Sequence, residues 1–148
     1  MSVDVVTEIE ISRPREDVAA YVTDPAHATA WYQNIRSIEW KSDPPLRVGT
    51  QVAFVAQFLG RRLAYTYVIR AFELGERLVM STDRPFEMET TYTWEDTTAG
   101  GTHMTLRNRG EPAGFSKLVA PLMASAMRRA NRKDLARLKQ ILEGSRIA

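Results

Sequence analysis

The most constraining feature of this chain is a change of period. From Ile35 to Asn108, apolar and polar residues alternate in short runs separated by turn residues; after Gly110-Glu111-Pro112 the apolar residues recur at helical spacing as far as Leu142. A period of two places alternate side chains on one face of a strand, whereas 3.6 places them on one stripe of a helix. A meander with one apolar face needs a cover, and the C-terminal stretch carries the only large apolar stripe that can supply it. The stripe reads Phe115, Leu118, Val119, Leu122, Ala126, Ala130, Leu135, Leu138 and Leu142, with Gly144 as its C-cap. That is a helix of up to about thirty residues, roughly 40 Å long. Pro121 either kinks it or marks where its main part begins.

Ahead of the meander, Val3, Val5, Thr7, Ile9 and Ile11 alternate with Asp4, Val6, Glu8 and Glu10 as a half-buried strand. Ser12 is the expected N-cap of a short helix with Pro14 early in it, ending near Asp24-Pro25. Pro25 then opens a second short helix carrying Ala28, Trp31 and Tyr32. The expected strands that follow are separated by Pro44-Pro45 and Gly49, by a Leu59-Gly60-Arg61 hairpin, by Leu74-Gly75, by Asp83-Arg84-Pro85 and by Gly100-Gly101.

A chain of 148 residues fits one domain, 1–148, which buries about 70% of its unfolded surface and needs no staple. With no cysteine, disulfides, thiolate catalysis and the usual structural zinc sites are excluded. No HExxH, Walker A, GxGxxG or GxSxG sequence occurs, so neither a metal nor a cofactor is expected. The N-terminus lacks the pattern of a targeting signal and no apolar run reaches the ~20 residues of a membrane span, so a cytoplasmic protein is expected. The net charge is only +2, but Arg128, Arg129, Arg132, Lys133, Arg137 and Lys139 cluster around a single acid, Asp134. On an amphipathic helix without interleaved aromatics this reads as a solvated face; nucleic acid is not an expected partner, and transient contact with a membrane surface stays open.

The order of elements, with Ile11-Ser-Arg-Pro-Arg-Glu-Asp-Val18, Val48-Gly49, Leu59-Gly-Arg-Arg62, Tyr67-Val-Ile69, Glu76-Arg-Leu-Val79, Tyr92-Thr-Trp-Glu95 and Asp134-Leu-Ala-Arg-Leu-Lys-Gln-Ile-Leu-Glu143, resembles the helix-grip, START-like superfamily. In particular the chain looks like its polyketide cyclase/dehydrase and lipid transport (SRPBCC) group. The resemblance spans nearly the whole chain and implies an α+β helix-grip fold. Its parts are a curved antiparallel sheet of six or seven strands wrapped around a long C-terminal helix, and two short helices after the first strand. It also implies a cavity between helix and sheet for a hydrophobic or amphipathic molecule; the expected ligand is a hydrophobic or aromatic small molecule, and the expected state a monomer or homodimer.

Strand phase puts Phe54, Phe58, Tyr65, Tyr67, Met80, Met88, Thr90, Tyr92, Met104 and Asn108 on the helix-facing side, and Met123 and Met127 close the space from the helix. Such a row lines either a cavity or a plain packed core. Three inward tyrosines each bring a hydroxyl that needs a partner, which favours a cavity. Chemistry is thinly provided. Tyr65, Tyr67, Tyr92 and His27 are the candidate proton-transfer groups of a cyclase- or aromatase-like enzyme, the alternative to a carrier. His103 faces the polar side of its strand, as do Glu87, Glu89 and Glu95, so inward carboxylates look scarce. Asp83, Arg84, Arg61 and Arg62 read as turn residues. A third alternative is an interaction module whose sheet and helix merely pack.

Overall fold

The computed structural model describes residues 3–58, 60–84, 86–111 and 120–144. The elements are β1 (Val3–Ile11), α1 (Arg15–Val22), a 3-10 turn (Pro25–His27), α2 (Ala28–Trp31), β2 (Ile35–Trp40), β3 (Gln51–Phe58), β4 (Arg61–Glu73), β5 (Arg77–Thr82), β6 (Met88–Asp96), β7 (Thr102–Gly110) and α3 (Ala120–Gly144). All seven strands form one antiparallel sheet in the order β1-β7-β6-β5-β4-β3-β2. The chain leaves β1 at one edge, crosses through the short helices to β2 at the other, and meanders back until β7 pairs with β1. The register shifts between Ile35 and Ser37 and between Ile69 and Ala71. Such bulges bend a strand and raise its twist, which helps the sheet curve.

The entry to α1 differs from the sequence expectation. Pro14, not Ser12, stands at the N-cap position, and no side chain caps the helix. The Ser12 N–H instead donates to Glu143 Oε2 at 2.8 Å, tying the end of β1 to the end of α3. Two further bonds hold that corner: Arg13 donates to the Leu142 carbonyl and Lys139 to the Glu10 carbonyl, each at 2.8 Å. A cation on the last carbonyls satisfies acceptors that an α-helix leaves unpaired. Gly144 is the last helical residue rather than a left-handed cap.

The buried stripe of α3 is also rotated from the expected one. Leu122 is 68% exposed while Met123 is 2% exposed, and the inward positions continue through Asn131, Asp134, Leu135, Leu138 and Leu142. Two polar residues in the middle of the stripe hid its true register from a count of apolar residues. Phe115, Leu118, Val119 and the Leu59 position of the hairpin lie outside the described residues, as do the side chains of Phe58 and Pro121. No helix among the described residues is long and apolar enough to cross a membrane.

Candidate functional site

The helix does not lie evenly on the sheet. α3 packs along β1, at one edge. There Leu135, Leu138 and Leu142 join Ile11, Trp94, Met104 and Leu106 in a solid core. On the other side, β3–β5 and α2 enclose space against the N-terminal half of α3. The result is a cavity of about 160 Å³ walled by aromatic and aliphatic side chains from β3, β4, β5, β6, α2 and α3. An apolar cavity of about 150 Å³ is enough to hold a benzene ring.

The aromatic wall is built by strand pairing. Phe54 on β3 stands opposite Tyr65 on β4, and Tyr67 follows two residues later on the same face. Their ring centroids lie 5.0–5.8 Å apart, within the range of favourable aromatic pairs. The Tyr67 hydroxyl is hydrogen-bonded to Thr90 Oγ1 at 2.8 Å. Burial pushes the Tyr67 phenol up to about 12 and holds Tyr65 well above its usual range, so both are neutral hydroxyls at physiological pH. Tyr65 has no hydrogen-bond partner among the described residues.

The opposite end is polar. Tyr32 adopts an extended backbone where α2 stops, and its ring stacks on Trp31 at 3.9 Å. Its hydroxyl is hydrogen-bonded to that of Tyr92 on β6. Burial raises both phenols far above their usual range. Asn131 Nδ2 donates to Asn108 Oδ1 at 3.4 Å. Asp134, 3% exposed, completes this end; its Oδ1 accepts the Gln33 N–H at 3.0 Å. The indole N–H groups of Trp31 and Trp94 have no hydrogen-bond partner among the described residues.

Burial raises the Asp134 carboxyl from 3.8 to about 6, partly offset by the Gln33 N–H. The folded chain therefore holds this proton more tightly than the unfolded chain. The resulting stabilisation is full below about pH 4 and lost as pH rises through about 6. Asp134→Asn keeps an acceptor for Gln33 and removes the charge. At pH 7.5 it is expected to be more stable than the parent by about 1–3 kcal/mol, an advantage that vanishes near pH 4. Thermal melts of both proteins at the two pH values check this; equal stability at pH 7.5 would contradict it.

Of the wall residues expected from sequence, Phe54, Tyr65, Tyr67, Met80, Met88, Thr90, Tyr92, Asn108 and Met127 line the cavity. Met104 faces inward but is sealed in the solid core, and Met123 lies to the side against Val3 and Val5. His27 stands outside the lining, with its ring stacked on Tyr21 at 4.0 Å and Nδ1 2.9 Å from the Tyr21 carbonyl oxygen. His103 pairs with Glu8 at 2.9 Å on the outer face. Sequence reasoning missed Tyr32 and Asp134. The spacing Met127-Asn131-Asp134-Leu138 carried the signal for the second, because it is one helical face. Among the described residues no group of three or more His, Asp or Glu is placed to hold a metal.

Sequence comparison places this architecture. The family described as polyketide cyclase / dehydrase and lipid transport matches residues 2–143. The chain belongs to that family. No curated protein sequence matches it. Among solved structures it is similar to TTHA0849 from Thermus thermophilus, at 19% identity and a TM-score of 0.81, covering 97% of this chain and 99% of that one. It is also similar to the Zhui aromatase/cyclase from a Streptomyces species, at 10% identity and a TM-score of 0.80, covering 97% and 94%. A START superfamily protein from Mycobacterium smegmatis aligns at 12% identity and a TM-score of 0.76, covering 93% and 98%. At these identities the likeness is one of fold.

Proposed function

We propose that this family member binds a hydrophobic or aromatic small molecule in the cavity between β3–β6 and α3, as a carrier or receptor rather than through a covalent step. The observation that carries this reading is the cavity itself: a largely apolar space with a few convergent polar groups at one end, the usual build of a small-molecule site. A packed interaction module would have filled that space with side chains, because interiors close to crystal-like density. Native mass spectrometry beside denaturing mass spectrometry of protein purified without added ligand tests the reading. An adduct of ligand size lost on unfolding is expected. A clean apo mass together with no uptake from a panel of lipids, sterols and aromatic polyketides would overturn it.

A second reading, a cyclase- or aromatase-like enzyme, is favoured by one arrangement: the Tyr32–Tyr92 hydroxyl pair and the Asp134 carboxyl share one end of the cavity. A carboxyl held near neutrality is suited to exchange protons with a bound ligand. For that reading Asp134 displaces His27, which lies outside the lining.

A further inference from the structure

The cavity reading leaves open what kind of molecule the polar end accepts, and the hydrogen-bond inventory there is lopsided. The Tyr32 and Tyr92 hydroxyls are hydrogen-bonded to each other, Tyr67 is paired with Thr90, and Asn131 with Asn108. Asp134 is different. Its Oδ1 takes the Gln33 N–H, while its second oxygen has no hydrogen-bond partner among the described residues. No cation among the described residues forms an ion pair with it: Lys133 and Arg137 on α3 and Arg36 on β2 only border the outer groove beside it. A buried carboxylate can only accept hydrogen bonds, and leaving it without donors is costly. The structure thus presents a spare acceptor, with negative charge above its pKa, in the cavity wall.

Its position adds a second point. Asp134, Trp31, Tyr32 and Ile35 line both the interior cavity and the groove between α2 and α3 on the outside. The carboxyl therefore stands in the partition between solvent and the cavity.

Resting on the cavity reading above, we propose that Asp134 selects ligands by head group: it admits an apolar, ring-sized body bearing a hydroxyl or ammonium donor and rejects the same body bearing an anion. A hydroxyl or ammonium supplies the missing donor. An anion would face a like charge where the low effective dielectric leaves the repulsion strong. The groups facing Asp134 from the elements packed on it are the Tyr32 and Tyr92 hydroxyls, which stay neutral, and the basic side chains of Lys133, Arg137 and Arg36 at the groove. His27 points away, onto Tyr21.

Four probes with one body test this: naphthalene, 2-naphthol, 2-naphthylmethylamine and naphthalene-2-sulfonate, which stays ionised at any working pH. Binding is read by quenching of tryptophan fluorescence, since Trp31 lines the cavity. At pH 7.5 the naphthol and the amine are expected to bind at least roughly tenfold tighter than the sulfonate. Asp134→Asn is expected to bring the naphthol and sulfonate within about threefold of each other. In the unaltered protein, sulfonate affinity is expected to rise roughly tenfold from pH 7.5 to pH 5 as Asp134 gains its proton, a measurement that needs no variant to fold. Head-group preference that survives Asp134→Asn, or sulfonate binding that is flat with pH, would overturn the proposal while leaving the cavity reading intact. Failure of all four probes, naphthalene included, would overturn both.

Discussion

Replacing Ala130 with phenylalanine is expected to abolish ligand uptake while preserving the fold. Ala130 lies on α3, one turn before Asp134, and its methyl group borders the cavity. A phenyl ring there projects into space that no side chain of the parent occupies. Overpacking a filled core usually costs about 1–3 kcal/mol, because neighbours must leave their rotamers. Filling an existing void avoids that cost, and the new ring gains contacts that the empty wall lacked. The variant is therefore expected to melt at or above the temperature of the parent. Affinity for naphthalene or 2-naphthol is expected to fall by roughly 100-fold or more, equivalent to about 2.8 kcal/mol. Fluorescence titration and a thermal melt of the same sample check both halves. Unchanged affinity would place binding elsewhere on the protein. A melt lowered by many degrees would show that the space is already filled.

The opposite substitution at the other end of the same helix is expected to give the largest stability effect. Leu138 is fully buried in the cluster that includes Ile11, Trp94, Met104 and Leu106. This is where α3 and the sheet meet directly, so truncation leaves a hole that rigid neighbours on both sides cannot close. Leu138→Ala is expected to cost about 3–5 kcal/mol in urea unfolding. For a chain of this size that corresponds to a fall of roughly 6–20 °C in Tm. Binding of naphthalene by the folded fraction is expected to persist, because Leu138 is not part of the cavity lining. A loss below about 1 kcal/mol would mean that the site collapses freely, contrary to the close packing of this end.

Together these two variants divide α3 into a structural half and a functional half, and the division explains what the sequence could and could not reveal. Strand alternation reported the inward face faithfully: Phe54, Tyr65, Tyr67, Thr90 and Tyr92 all point as their phase requires. Phase does not report where along the sheet a residue meets the helix. Met104 and Tyr92 have the same orientation, but β7 neighbours β1, where α3 packs, and so Met104 became core. Tyr32 was hidden for another reason. Counted at helical spacing with Ala28 and Trp31 it is one more apolar position, whereas its extended backbone at the end of α2 takes its hydroxyl to Tyr92.

Asp134 was the costliest omission. Set among Arg132, Lys133 and Arg137 it looks like one charge on a solvated face. In the fold those three neighbours are exposed and Asp134 is turned inward, one helical face along from Met127, Asn131 and Leu138. A charged residue within the buried stripe of an amphipathic helix breaks the local pattern, and such breaks concentrate at functional sites.

The methionines provide the most direct test of where a ligand goes. Met80, Met88 and Met127 line the cavity, while Met104 is sealed in the solid core. In protein labelled with carbon-13 at the methionine methyl groups, titration with 2-naphthol followed by two-dimensional NMR reads all of these sites at once. Ring-current shifts are expected at Met80, Met88 and Met127, saturating together at one affinity, with Met104 nearly still. Saturable shifts that leave all three cavity methyls unmoved would contradict the assignment of this space as the binding site.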